Sequence, residues 1–240
     1  MLQQLDEDLW VAQQPFNYFG LEVGTRMTVI RLSGKSGRKL AIISPIEITK
    51  EIGSQIDAIG SVAHIIAPNL YHHLYAGACK SVYSDATLWG APGLKEKRPE
   101  LAINSVIRPS EDAPWQDLEG IFFDGLKTLG PNGFDTLNEW VFLHSASRTL
   151  ILTDAAFYYD SSFPWTVQLA TRVLGSYDVL KPSVLEKIAI RDKQTLKRSV
   201  EAVLEWDFDR VVMAHGRVIE KGGKEMFRKG YRQFLADTRL

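Results

Sequence analysis

The run Ser61-Val62-Ala63-His64-Ile65-Ile66-Ala67 constrains this chain more than any other stretch. Its length and β-branched content fit a buried strand. It stops at Pro68-Asn69, and Leu70-Tyr71-His72-His73-Leu74-Tyr75-Ala76-Gly77 then leads into a predicted helix. Two of the chain's five histidines therefore stand side by side where a loop becomes a helix. Neighbouring residues in a regular helix diverge by about 100°, but the non-helical backbone at a helix start lets both rings lean toward one point. Two imidazoles so placed can serve a metal ion or acid–base chemistry.

The flanking sequence says what kind of sheet the run joins. Upstream, Leu9-Trp10-Val11-Ala12, Met27 to Leu32 and Leu40 to Ser44 read as strands, and Ser33 to Arg38 reads as a hairpin loop. Thr49 is an N-cap for a helix through Ile59 that buries Ile52, Ile56 and Ile59, and Gly60 stops it. An antiparallel opening thus gives way to strand, helix, strand, helix, which implies a parallel crossover. A short strand around Ala86 to Trp89 follows, then the charged stretch Lys95 to Glu100, read as solvated. Residues 101–120 look irregular, with Pro109, Pro114 and an isolated Trp115.

A second strand-rich segment begins at Ile121. In it Glu139 to His144 and Thr149 to Asp154 bracket the turn Ser145-Ala146-Ser147-Arg148 as a hairpin. If His144 pairs with Thr149, Glu139 falls opposite Asp154, and five residues at about 3.4 Å each put His144 about 17 Å from Asp154. Helices are expected at about 165–178 and 193–205, then a short strand into Ala214-His215-Gly216 and a final amphipathic helix carrying Met226, Phe227, Tyr231, Phe234 and Leu235. Two successive strand-then-helix halves describe a two-sheet sandwich flanked by helices.

Composition narrows the function classes. A hydrophobic share of 45% supports a packed core, and a net charge of −1 gives no general attraction for nucleic acid or an anionic membrane. The single cysteine, Cys79, excludes an internal disulfide framework and a cysteine-rich zinc knuckle. Acidic residues near Met1 and the lack of any run approaching about 18 apolar residues lead to the expectation of a cytoplasmic protein without a membrane partner.

The candidate ligands share one placement: each lies just beyond the end of a strand. His72 and His73 follow the strand ending at Ala67, Asp154 ends the strand from Thr149, and His215 follows the strand ending at Ala214. Loops beyond strand ends are where sites assemble in open α/β sheets. Imidazoles with a carboxylate suit zinc, iron or manganese, and such an ion acidifies water and polarises a carbonyl or phosphoryl oxygen. Glu139 would add a second carboxylate or orient a ligand. His64 reads as a satisfied core histidine and His144 as a surface one.

With these residues in view, the chain resembles the metallo-β-lactamase superfamily, and within it the family labelled DUF4336, a domain of unknown function. The resemblance is carried by Arg26 to Leu32, Ser44-Pro45-Ile46, Pro68 to His73, Ser147 to Asp154 and Ala214-His215-Gly216. It implies one four-layer αββα domain over residues 1–240, an α/β fold with two mixed sheets flanked by helices and a metal site at one sheet edge. The superfamily signature His-x-His-x-Asp-His falls on Pro68, Asn69, Leu70, Tyr71, His72 and His73, so both leading histidines are missing and its aspartate is His72. The histidine that usually precedes the second hairpin has no counterpart; Phe134, Asp135 or Glu139 occupies that neighbourhood. One metal position is thereby emptied, and the other keeps His72, His73, Asp154 and His215.

These residues lead to a hydrolase of a small ester, thioester or phosphodiester that uses one divalent ion, zinc first, with iron or manganese as alternatives. Asp154 or Glu139 would act as base or orienter, and Asn69 and Tyr71 would lie near the substrate. The competing reading is a metal-free relic of the fold that binds a small ligand or a partner, with Tyr71, Tyr158, Tyr159, Phe163 and Trp165 lining an aromatic pocket. A redox role ranks third, because a di-iron centre needs the missing ligands. Substrate and oligomeric state lie beyond the sequence.

Overall fold

The computed structural model describes residues 1–34, 37–108, 115, 117–130, 133–190 and 192–236. The first half builds a seven-stranded sheet. Its strands are β1 (Gln3–Asp6), β2 (Leu9–Gln14), β5 (Thr25–Leu32), β6 (Lys39–Ile43), β7 (Ser61–Ala67), β8 (Thr87–Gly90) and β9 (Ser105–Val106), in that spatial order, and a small hairpin of β3 (Asn17–Tyr18) and β4 (Leu21–Glu22) projects from it. Pairing is antiparallel from β1 to β6 and parallel from β6 to β9. Parallel neighbours need long crossovers, and α1 (Lys50–Ile59), α2 (Ala76–Val82) and α3 (Leu94–Lys97) supply them.

The second half builds a four-stranded mixed sheet in the order β10 (Leu118–Phe123), β13 (Glu139–His144), β14 (Thr149–Ile151) and β15 (Arg210–Val212). The hairpin β11 (Lys127–Gly130) and β12 (Gly133–Thr136) lies between β10 and β13 in the chain. Helices α4 (Trp165–Val173), α5 (Val184–Ala189) and α6 (Lys193–Glu205) separate β14 from its parallel partner β15, and α7 (Gly223–Ala236) follows.

Alternation along the strands sorts the core into three apolar layers. Leu9, Val11, Ile30, Ile43 and Ile66 meet Trp140, Phe142, Ile151 and Val212 between the sheets. Their neighbours Trp10, Val29, Ile42 and Ile65 face outward to Ile52 and Ile56 of α1 and Cys79 of α2. Val141, Leu143 and Leu150 face Leu196, Val200 and Val203 of α6 and Phe227, Tyr231 and Phe234 of α7. The result is the expected αββα arrangement.

The expected hairpin forms with His144 paired to Thr149. His144 is buried rather than at the surface, because its partner strands are covered on both faces, and its Nδ1 lies 2.7 Å from Ser147 Oγ. Trp115, read as isolated, packs edge-on to Trp89 at 4.8 Å in the inter-sheet core. Pro109, Pro114, Lys35 and Ser36 lie outside the described residues. The helix expected to carry the two histidines starts later, at Ala76, which leaves His72 and His73 in a turn.

The α1 boundaries follow the sequence. Thr49 Oγ1 accepts from the Ile52 amide, and the Gly60 amide donates to the Ile56 carbonyl. Gly60 is required by proximity, not by dihedral: a Cβ there would stand 2.2 Å from the Arg38 carbonyl oxygen. Replacement of Gly60 by alanine must push β6 and β7 apart, and thermal unfolding should show Tm lowered by roughly 5 °C or more.

Candidate metal centre

Four strand ends deliver the site. Beyond β7, Asn69 is fully buried, and its Oδ1 accepts from the amides of Tyr71 (2.8 Å) and His72 (2.7 Å). This side-chain turn fixes the direction in which His72 leaves the sheet. At the start of β13, the buried Glu139 accepts from the amides of Thr153 (2.7 Å), Asp154 (2.8 Å) and Ala155 (3.2 Å), which pins the chain beyond β14. Asn69 Nδ2 joins the two ends, lying 3.1 Å from Glu139 Oε2, 3.0 Å from Thr153 Oγ1 and 2.8 Å from Asp154 Oδ2. Beyond β15, His215 Nδ1 donates to the Gly24 carbonyl at 2.6 Å.

His72, Asp154 and His215 come together. Both carboxylate oxygens of Asp154 lie 3.3 Å from His72 Nε2, and Oδ1 lies 3.7 Å from His215 Nε2. The two imidazole centres are 5.0 Å apart. One donor atom from each residue falls within 4.8 Å of the others, the only such trio among the described residues. A tetrahedral ion with bonds of about 2.0–2.1 Å needs ligand atoms about 3.3 Å apart, so the trio fits a metal after small adjustment.

The hydrogen bonds also set the tautomers. Because Nδ1 of His215 carries the proton given to Gly24, its Nε2 presents a lone pair toward Asp154. His72 Nδ1 pairs with Ser44 Oγ at 2.7 Å, and because the carboxylate on its other side can only accept, Nε2 carries the proton given to Asp154 while no metal is bound. Ser44 reaches this position from a left-handed backbone, φ 53°, which a non-glycine residue adopts at a cost.

His73 does not join the trio. In the turn the two neighbouring rings diverge, and His73 packs against Arg98, whose Nη1 lies 3.2 Å from its Nδ1. The expectation that both histidines lean to one point needed a helix start at that place, and the Asn69 turn occupies it instead. Asn69, expected near substrate, is sealed in the interior. Glu139 is likewise sealed by its four N–H donors and acts on the loop it anchors. Tyr71 is half-buried between the two outer cores, with Lys97 Nζ 3.9 Å from its ring centroid. Trp165 is 73% exposed, so the five aromatic residues named above do not share one pocket. Gly24 and Thr153 carried no sequence signal, because they act through a backbone carbonyl and a contact to an amide.

The sequence profile described as domain of unknown function (DUF4336) matches residues 6–178. The chain belongs to the DUF4336 family. No curated protein matches it significantly in sequence. Its structure resembles a metallo-β-lactamase from Pontibacter korlensis with a TM-score of 0.64 at 13% identity, covering 99% of each chain. For a metallo-β-lactamase from Hirschia baltica the values are 0.63 and 12%, over 98% of this chain and 97% of that one. For the mono-zinc form of FIM-1 from Pseudomonas aeruginosa they are 0.60 and 10%, over 98% and 94%. At these identities the likeness shows the fold: this DUF4336 protein has the metallo-β-lactamase architecture. No helix among its described residues is long and apolar enough to cross a membrane.

The electrostatics of the DUF4336 site divide its histidines. Burial alone would push the Asp154 carboxyl up, but the positive His72 ring, the contact with it, His215 and Asn69 outweigh burial and hold it down to about 2. Burial disfavours charge on His72 too, and the Asp154 carboxylate overrides it, raising His72. Burial and then the charge of His72 lower His215 to about 4; burial and then Arg98 lower His73 to about 4. Glu139 is raised, by burial first and then by the charge of Asp154, against the pull of its amide donors.

The linkage signs follow. His73 and His215 take protons readily only when unfolded, so their contribution is intact above about pH 6.5 and is lost as pH falls toward 4. His72 contributes below about 6.5 and loses its contribution as pH rises through its raised value; Asp154 loses its own only as pH falls toward about 2. Denaturant titration of metal-free protein should show stability declining from pH 6.5 to 4. In His73→Gln, which keeps a polar group beside Arg98, that decline should flatten.

Proposed function

We propose that this chain is a hydrolase acting through a single divalent ion held by His72 Nε2, Asp154 and His215 Nε2. The observation that carries the reading is the prepared His215 ring. Its Nδ1–H is committed to the Gly24 carbonyl, and burial keeps the ring neutral, so a lone pair is aimed at the Asp154 carboxylate. When bound, a zinc ion in such a set acts as a Lewis acid and acidifies water. Two nitrogens and a carboxylate suit zinc, with iron or manganese as alternatives.

The remaining residues position this set. Ser44 Oγ holds His72 through Nδ1, Asn69 holds its backbone amide, and Glu139 holds the amide of Asp154. Asp154 is the only carboxylate of the group left with partial access to solvent, which makes it the proton acceptor for an incoming nucleophile; Glu139 orients. The substrate class under this reading is a small ester, thioester or phosphodiester.

One observation favours a second reading, a metal-free ligand-binding protein: the His72–Asp154 pair satisfies itself without an ion. Elemental analysis of protein purified without a metal-affinity tag separates the two. The hydrolase reading expects about one equivalent of zinc, iron or manganese, lost in Asp154→Asn and His215→Ala and retained in His73→Ala. A parent protein without metal even after incubation with all three ions would sink that reading. Metal loss in His73→Ala with the fold intact would restore His73 as a ligand.

A further inference from the structure

Arg26, near the start of β5, is 3% exposed, and its guanidinium donates from Nη1 to the Met213 carbonyl and from Nη2 to the Gly216 carbonyl. Gln13 is its direct partner on β2. With the Gln13 carboxamide turned so that oxygen faces inward, that oxygen accepts from Nε at 2.9 Å and from Nη2. Among the described residues, no carboxylate neutralises this cation. Its pKa is lowered to about 10 by burial, and Tyr159 is the only opposing influence, so the charge persists at neutral pH.

A buried cation held by neutral oxygens alone leaves much of its desolvation cost uncompensated. The two N–H groups at Nε and Nη2 form the parallel fork that receives a planar carboxylate, and one amide oxygen now spans both. Gln13 itself is exposed, so a rotamer change releases it to solvent. The fork borders a cleft of about 320 Å³, a volume that suits a small molecule. Phe163 and Pro164 give the cleft apolar wall, and among the described residues Glu22 at its exposed rim is the only acidic one lining it.

We propose that this cleft is a carboxylate-binding subsite, in which a small monocarboxylate with an apolar body displaces the Gln13 side chain and takes the Nε and Nη2 fork of Arg26. Glu22 disfavours anions of higher charge, and the apolar wall of Phe163 and Pro164 disfavours fully polar ones such as phosphate. The subsite stands independently of the metal reading. It adjoins that centre through Gly24, whose carbonyl holds His215, and through Gly216, whose carbonyl holds Arg26.

Calorimetric titration at constant ionic strength with benzoate, its neutral counterpart benzamide and inorganic phosphate tests the proposal on metal-free and metal-loaded protein alike. Saturable benzoate binding in the millimolar range or tighter is expected, with benzamide and phosphate at least about tenfold weaker. Because Arg26 ties down two carbonyls and its replacement risks the fold, the deciding variants are at Gln13. Gln13→Glu places an internal carboxylate in the fork and should abolish benzoate binding while Tm holds or rises. Gln13→Ala opens the fork and should tighten binding. Equal binding of benzoate and benzamide, preference for phosphate, no benzoate binding in the millimolar range, or undiminished benzoate binding by folded Gln13→Glu would each overturn it.

Discussion

The centre depends on one buried carboxylate. Glu139 sits at the first position of a strand covered on both faces, where an acid has no partner from the sheet itself. It is tolerated because three consecutive amides beyond β14 and the Asn69 side chain all donate to it. The stretch from Thr153 to Ala155 has no ladder of its own at that point, so the carboxylate replaces a strand partner and holds Asp154 in place. Removing that side chain would leave these three amides without their acceptor, at about 1–3 kcal/mol each.

Asn69 extends the same device across the sandwich. It belongs to the first sheet's edge and bonds to groups at the second sheet's edge, so His72 and Asp154 are set by one amide rather than by two independent loops. Arg26 does the equivalent for His215, linking the start of β5 to the carbonyls on either side of that histidine. His72, Asp154 and His215 thus each have a buried polar group behind them from another part of the sandwich.

These layers differ in how far the sequence reveals them. The longer strands were legible as apolar, β-branched runs bounded by turn residues, and the hairpin from Glu139 to Thr149 follows from its four-residue turn; short strands such as β1, β9 and the pair β11 and β12, with little apolar content, were not. The convergence of His72, Asp154 and His215 was legible as a set of strand ends. The separation of His72 from His73 was not, because it depends on a turn closed by a side-chain oxygen from Asn69, which propensity alone does not distinguish from a helix start. The partners Ser44 and Gly24 were hidden for the same reason: one acts from a left-handed backbone, the other through a carbonyl that every residue possesses. Arg26 entered only as the first residue of the run that carries the resemblance, since nothing local announces a buried charge.

The two places where the superfamily signature has its leading histidines serve a different purpose here. The Pro68 carbonyl accepts from the Trp140 amide at 2.8 Å, the Leu70 amide donates to the Leu137 carbonyl at 3.2 Å, and the Leu70 side chain is buried. Those two positions form a seam between the sheets, and neither proline nor leucine offers a nitrogen or oxygen side chain to an ion. Under the proposed reading the half of the site that remains carries the metal by itself, in competition with a proton. The Asp154 carboxylate that attracts an ion also raises His72, and an ion at Nε2 must displace the proton that the same carboxylate stabilises. Under the proposed reading, metal affinity therefore rises with pH until His72 is deprotonated. The neutral His215, with its lone pair already aimed, provides the first foothold.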